Sequence, residues 1–194
     1  MMKNNITIQL IKQLIDNEIY KFKILEDDIK KLSEEDLSLL NNAIIENNSI
    51  EYLQIDFISD ILLGKKIDTV LYTGINHGDI IGVIDFINTN MKVKKLIIEN
   101  RIFQTEDKYV YKRINLKTIE ELSIDLNHAL VSYRFDKMIK HLIVTKSSLK
   151  ILKLPDKSKY LMYNYNGFIQ IQTTTYLTFQ QRQELEEFSR HDER

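Results

Sequence analysis

The sequence predicts an α/β chain in which parallel strands alternate with helices as a short right-handed solenoid. Three observations carry this expectation. A six-residue pattern, apolar-x-x-apolar-x-apolar, recurs along the chain. Its copies are spaced as single supersecondary units would be. Helix-period segments stand immediately before three of the copies.

The copies are Ile19-x-x-Phe22-x-Ile24, Ile50-x-x-Leu53-x-Ile55, Ile67-x-x-Val70-x-Tyr72, Val93-x-x-Leu96-x-Ile98, Ile119-x-x-Leu122-x-Ile124 and Leu149-x-x-Leu152-x-Leu154. The last two apolar positions of each lie two residues apart, the period of a strand with one buried face. The fourth positions, from Phe22 to Leu152, follow one another at intervals of 31, 17, 26, 26 and 30 residues. Ile139-x-x-Leu142-x-Val144 has the same form but continues the helical spacing of Phe135, Met138 and Ile139, so it is read as helix.

Ser33 followed by Glu34-Glu35-Asp36 has the form of an N-cap with first-turn acids. Leu37, Leu40, Ile44 and Ile45 then mark one helical face, ending near Asn47-Asn48. Asp79 precedes Ile80, Val83, Ile84 and Ile87, ending near Asn88-Thr89-Asn90, and a third helix is expected over about 132–145. The copies at Ile67 and Ile119 follow shorter or irregular segments.

Residues 1–194 are read as a single domain, with an N-terminal cap (1–18), repeats (19–157) and a C-terminal cap (158–194). Thr7 to Asn17 reads as an amphipathic helix with Ile8, Ile11, Leu14 and Ile15 inward. Tyr160 to Tyr165 and Phe168 to Thr173 flank Asn166-Gly167, a short-range signal for an antiparallel hairpin. A closing helix is expected over about 178–189, with Leu185 and Phe188 inward.

The composition excludes several classes of function. Lys and Arg number 27 against 28 Asp and Glu, without the basic excess of a general nucleic-acid binder. There is no Cys, which removes disulfides, thiolate metal sites and cysteine nucleophiles. With 5 Gly and 1 Pro, no Gly-rich phosphate loop can be assembled. No apolar run reaches the roughly 18 residues of a membrane span, and Met1 to Tyr20 lacks the unbroken apolar stretch of a signal peptide.

No catalytic residue, metal ligand or cofactor site is expected. His77 and Asp79, two apart in Asn76-His77-Gly78-Asp79, would serve a hydrolase, but a turn and N-cap explain them better. His128, His141 and His191 are scattered. Glu26-Asp27-Asp28 and Glu34-Glu35-Asp36 lack the ligand spacing of a calcium loop.

Asn47-Asn48-Ser49-Ile50-Glu51-Tyr52-Leu53-Gln54-Ile55 and Ser147-Ser148-Leu149-Lys150-Ile151-Leu152-Lys153-Leu154 resemble the leucine-rich repeat family, in its irregular, ribonuclease-inhibitor-like form. The resemblance spans about residues 19–157. Only Asn127 stands where the family carries its turn-bonding asparagine, three residues after the last apolar position. The resemblance implies a concave parallel sheet that binds protein, on a non-enzymatic, monomeric module.

Between the apolar positions, the outward-facing residues expected to bind a partner are Tyr52, Gln54, Leu71, Thr73, Lys95, Ile97, Glu99, Glu121, Ser123, Ile151 and Lys153. Tyr52, Leu71, Ile97 and Ile151 would be anchors within charged rows, the composition of a protein-binding patch. The competing expectation is that these charges pair between neighbouring strands. An irregular, Cys-free repeat chain of this size also looks like leucine-rich-repeat effectors of Legionella-type intracellular bacteria. That likeness implies a cytoplasmic protein secreted into host cytosol. It would inhibit another effector enzyme by occluding its active site or, alternatively, act as a host-directed adaptor on a host protein.

Overall fold

The computed structural model describes residues 3–74, 80–100, 114–126, 133–145, 147–154, 161–164 and 167–173. Its strands are β1 (Lys21–Ile24), β2 (Tyr52–Ile55), β3 (Lys66–Tyr72), β4 (Lys92–Asn100), β5 (Glu121–Leu126), β6 (Ile151–Leu154) and β7 (Gln170–Thr173). They form one sheet in chain order, every neighbouring pair parallel. The helices flanking it are α1 (Lys3–Ile15), α2 (Glu26–Ile29), α3 (Glu34–Glu46), α4 (Ile80–Asn90) and α5 (Tyr133–Val144), with a single 3-10 turn at Asp60–Leu62. Sequential parallel strands with the apolar side turned one way are compatible with a solenoid-like α/β fold.

Each of the six sequence copies supplies one strand, and the register joins like positions. Phe22 pairs with Leu53, Leu53 with Val70, Val70 with Leu96, Leu96 with Leu122 and Leu122 with Leu152. A second column runs through Ile24, Ile55, Tyr72, Ile98 and Ile124. All of these residues are buried and belong to one hydrophobic core. Each such side chain contributes about 1.5–3 kcal/mol relative to exposure.

The helices cover that apolar side. Ser33 caps α3, its hydroxyl accepting from the Asp36 amide at 3.1 Å. Ile80, Val83, Ile84 and Ile87 on α4 are buried, as are Met138, Ile139 and Leu142 on α5. The segment around Ile139 is therefore helix, as its spacing implies. Ile8, Ile15 and Ile45 depart from expectation, being 60%, 50% and 56% exposed. Ile15 and Ile45 each lie about 100° round the axis from the buried Leu14 and Ile44, beyond the contact line between α1 and α3.

The C-terminal hairpin is also corrected. Leu161 is helical, Met162 and Tyr163 form a turn, and β7 joins β6 in parallel. The Asn164 side chain donates to the Ile169 carbonyl at 2.6 Å, and Gly167 takes a φ of 63°. This turn leads the chain onto the open edge of β6, where Ile171 continues the first apolar column beside Leu152. A strand folded back on itself would not reach that column. The expected closing helix and the residues beyond it lie outside the described residues.

Polar side chains stitch neighbouring elements together from within. Asn47, just past α3, donates to the Leu14 carbonyl at 2.7 Å and accepts from the Ser49 and Ile50 amides at 3.0 Å each. Asn88 on α4 donates to the Asn115 carbonyl at 3.0 Å and accepts from the Lys117 amide at 2.8 Å. Lys65 is only 9% exposed. Its ammonium caps the end of α3 by donating to the carbonyls of Ile45 and Asn47, where the helix dipole favours a cation. Burial lowers the pKa of Lys65.

Tyr72 is fully buried, and its hydroxyl has no hydrogen-bond partner among the described residues. Burial first, then the charges of Asp56 and Glu26, push its pKa up to about 12. A Cβ on Gly74 would overlap the Tyr72 ring and hydroxyl and would lie 2.6 Å from the Asp56 carbonyl oxygen. Gly74→Ala should therefore lower stability by about 1–3 kcal/mol, the usual cost of overpacking. Urea denaturation measures this, and an unchanged midpoint contradicts the packing described here. Deleting residues from Tyr160 onward removes β7 and opens the core beside Leu152 and Leu154. The melting temperature of the whole chain should then fall, since each exposed apolar side chain costs about 1.5–3 kcal/mol of a total near 5–15 kcal/mol.

Candidate protein-binding surface

The sheet face opposite the core is built by the residues that alternate with the apolar columns. The register arranges them in rows. One row reads Lys21, Tyr52, Thr69, Lys95, Glu121, Ile151 and Gln170. The next reads Lys23, Gln54, Leu71, Ile97, Ser123, Lys153 and Gln172. Further along the strands Glu99 stands opposite Asp125.

These rows bring three of the four expected anchors together. Leu71 and Ile97 are direct cross-strand partners, and Tyr52 sits diagonally from Leu71 across the β2–β3 pair. With Thr69 they form one apolar patch over β2, β3 and β4. All are half-buried rather than fully exposed, because neighbouring strands less than 5 Å apart cover each other's flanks. Burial, and secondarily the Glu99 charge, raise the pKa of the Tyr52 hydroxyl. Ile151 is not part of the patch: it lies on β6, two strands beyond Ile97, next to Glu121.

The charged members are engaged with one another. Glu121 Oε1 receives Lys95 Nζ at 3.1 Å from one side and Lys153 Nζ at 2.8 Å from the other. Burial acts to raise the Glu121 pKa, but the ammonium groups of Lys153 and Lys95 against its carboxylate outweigh it and leave the pKa below the usual 4.5. At the starts of the strands Lys94 meets Asp68 at 2.9 Å and Lys150 meets Glu120 at 2.8 Å. Thr73 turns its hydroxyl toward the Ile55 carbonyl at 3.4 Å. Gln54 and Ser123 flank Leu71 and Ile97 in their row. The expected cross-strand pairing of charges is thus present on this face, and the apolar patch sits beside it.

His77 and Asp79 lie outside the described residues, as do His128, His191 and Asn127. His141 is half-buried on α5, its ring nitrogen 3.2 Å from the Thr145 hydroxyl. Glu26-Asp27-Asp28 makes up most of α2, pairing with Lys30 at 3.1 Å and Lys31 at 3.7 Å, and Glu34-Glu35-Asp36 is the first turn of α3. Among the described residues no group of three or more His, Asp or Glu is placed to hold a metal ion. No described helix is long and apolar enough to cross a membrane. Comparison with protein-family models, with curated proteins and with solved structures found no match to this chain.

The Glu121 cluster has a pH signature. A carboxyl whose pKa is lower folded than unfolded contributes stability above its unfolded value, and that contribution is lost as pH falls through the folded value. Stability of the native chain should therefore fall as pH drops below about 4.5. Glu121→Gln should flatten that part of the profile and weaken the chain near neutral pH. Urea midpoints from pH 3 to pH 7 test this; equal slopes for the two proteins contradict it.

Proposed function

We propose that this chain is a non-enzymatic protein-binding module, a degenerate relative of the leucine-rich-repeat solenoids, that engages a partner protein through its outer sheet face. The observation that supports the reading is the juxtaposition of Tyr52, Leu71 and Ile97 in one patch, while Lys95, Glu121 and Lys153 beside it are paired with one another. A surface with an apolar centre and a neutralised polar surround loses little by desolvation and gains transfer energy when covered. In the sharper form the partner is an enzyme whose active site is occluded, as the likeness to bacterial leucine-rich-repeat effectors suggests. Host-protein recruitment from the host cytosol is the alternative use of the same face.

Binding energy on this reading concentrates in the apolar members. Tyr52→Ala should weaken the complex by about 2 kcal/mol, with Leu71→Ala and Ile97→Ala also costly. Reversing Lys95 should produce a salt-dependent loss, and would also break its pair with Glu121. Partner capture, then calorimetry with these variants, is the test. Affinity left intact by all three apolar variants but abolished by changes on α5, such as Lys137→Glu, would place the site on the helical side and end this reading. For an enzyme partner, inhibition should be stoichiometric and without turnover.

A further inference from the structure

A second surface feature lies at the opposite end of the strands from Glu99. Lys66, Lys92, Lys94 and Lys117, with Asp68 and Glu120, line a depression of about 300 Å³. Both acids are taken. Asp68 binds Lys94 at 2.9 Å and Glu120 binds Lys150 at 2.8 Å. Lys66, Lys92 and Lys117 have no ion-pair partner among the described residues. Lys66 and Lys92 are, moreover, direct register partners on β3 and β4. Like charges placed directly opposite on neighbouring strands are destabilising, and whereas Lys94, Lys95, Lys150 and Lys153 each meet an acid from a neighbouring strand, Lys66 and Lys92 face each other.

We infer that this depression binds a small phosphate-type oxyanion carrying two or more negative charges, held by Lys66, Lys92 and Lys117. An ammonium group is a compact point charge with three donors, suited to tetrahedral phosphate oxygens. Among the described residues no arginine fork, the usual match for a planar carboxylate, lines the depression. The volume is that of a small-ligand site, not of an extended chain. The bound anion removes the Lys66–Lys92 repulsion, so binding and stability are linked. The inference does not depend on the partner-binding patch.

The test uses the full chain with inorganic pyrophosphate as probe, by calorimetry and thermal melting in 50 mM salt. Saturable binding of one anion per chain is expected, with a rise in melting temperature. Lys66→Gln/Lys92→Gln should lose at least tenfold in affinity. Without anion it should melt no lower than the parent, which also verifies that it folds. Lys21→Gln/Lys23→Gln, on β1, should bind as the parent does. Hexaglutamate should bind more weakly than pyrophosphate. Absence of saturable binding, equal affinity in the Lys66/Lys92 variant, or an equal loss in the β1 control overturns the inference. Tighter binding of hexaglutamate also overturns it, and would assign the depression to an acidic protein segment.

Discussion

The structure depends on one constraint, the parallel register that places Phe22, Leu53, Val70, Leu96, Leu122 and Leu152 side by side. A slip of one residue in any strand would turn its apolar positions to water and its charged positions into the core. Because one face alone is apolar, the helices gather on that face and the other is left to polar rows. Connection length is then free to vary. A lone 3-10 turn lies between β2 and β3, while α4 lies between β3 and β4. Loop closure grows only slowly in cost with length, which is how intervals as different as 17 and 31 residues feed the same sheet.

The same register decides what the outer face can offer. Lys95, Glu121 and Lys153 come from three consecutive strands, and one carboxylate oxygen serves both ammonium groups. Such contacts add modestly to stability but hold their strands to a fixed alignment and use up charges that would otherwise need water. Tyr52, Leu71 and Ile97 meet by the same register, Leu71 and Ile97 as a cross-strand pair with Tyr52 on the diagonal. Their place in the middle of a polar face is what sets them apart from the scattered apolar residues that any protein surface carries.

Strand positions were legible in the sequence because a two-residue period with a fixed apolar anchor leaves few alternatives, and α3 was legible from Ser33 and its acids. The caps were harder. Asn166-Gly167 is a local signal, and local signals say nothing of an open strand edge waiting a few residues further on; β7 answers to that edge. Ile45 shows the limit of periodicity, since a stripe of apolar residues is wider than the line along which two helices touch. On the outer face, alternation identified Tyr52, Leu71 and Ile97, while the separation of Ile151 from them follows from strand order. Asn47 and Asn88 were legible as helix ends, but the bonds that they and Lys65 make were not, because these partners are backbone groups distant in sequence. A polar residue closing a helix, five or fewer residues before an apolar strand, is the signal that could have found the bonding role of the two asparagines.

Those three side chains bear on how the molecule comes apart. In a linear array each unit touches only its neighbours, so ends can fray independently of the middle. Here Asn47 ties the end of α3 back to α1, and Lys65 ties the approach to β3 onto the same helix end. Asn88 performs the equivalent task between α4 and the segment leading to β5. Opening any one of these junctions strands a buried amide or ammonium beside carbonyls that have lost their donor. The N-terminal elements are tied to one another at these junctions, and slow hydrogen exchange should extend across α1, α3 and β3 together.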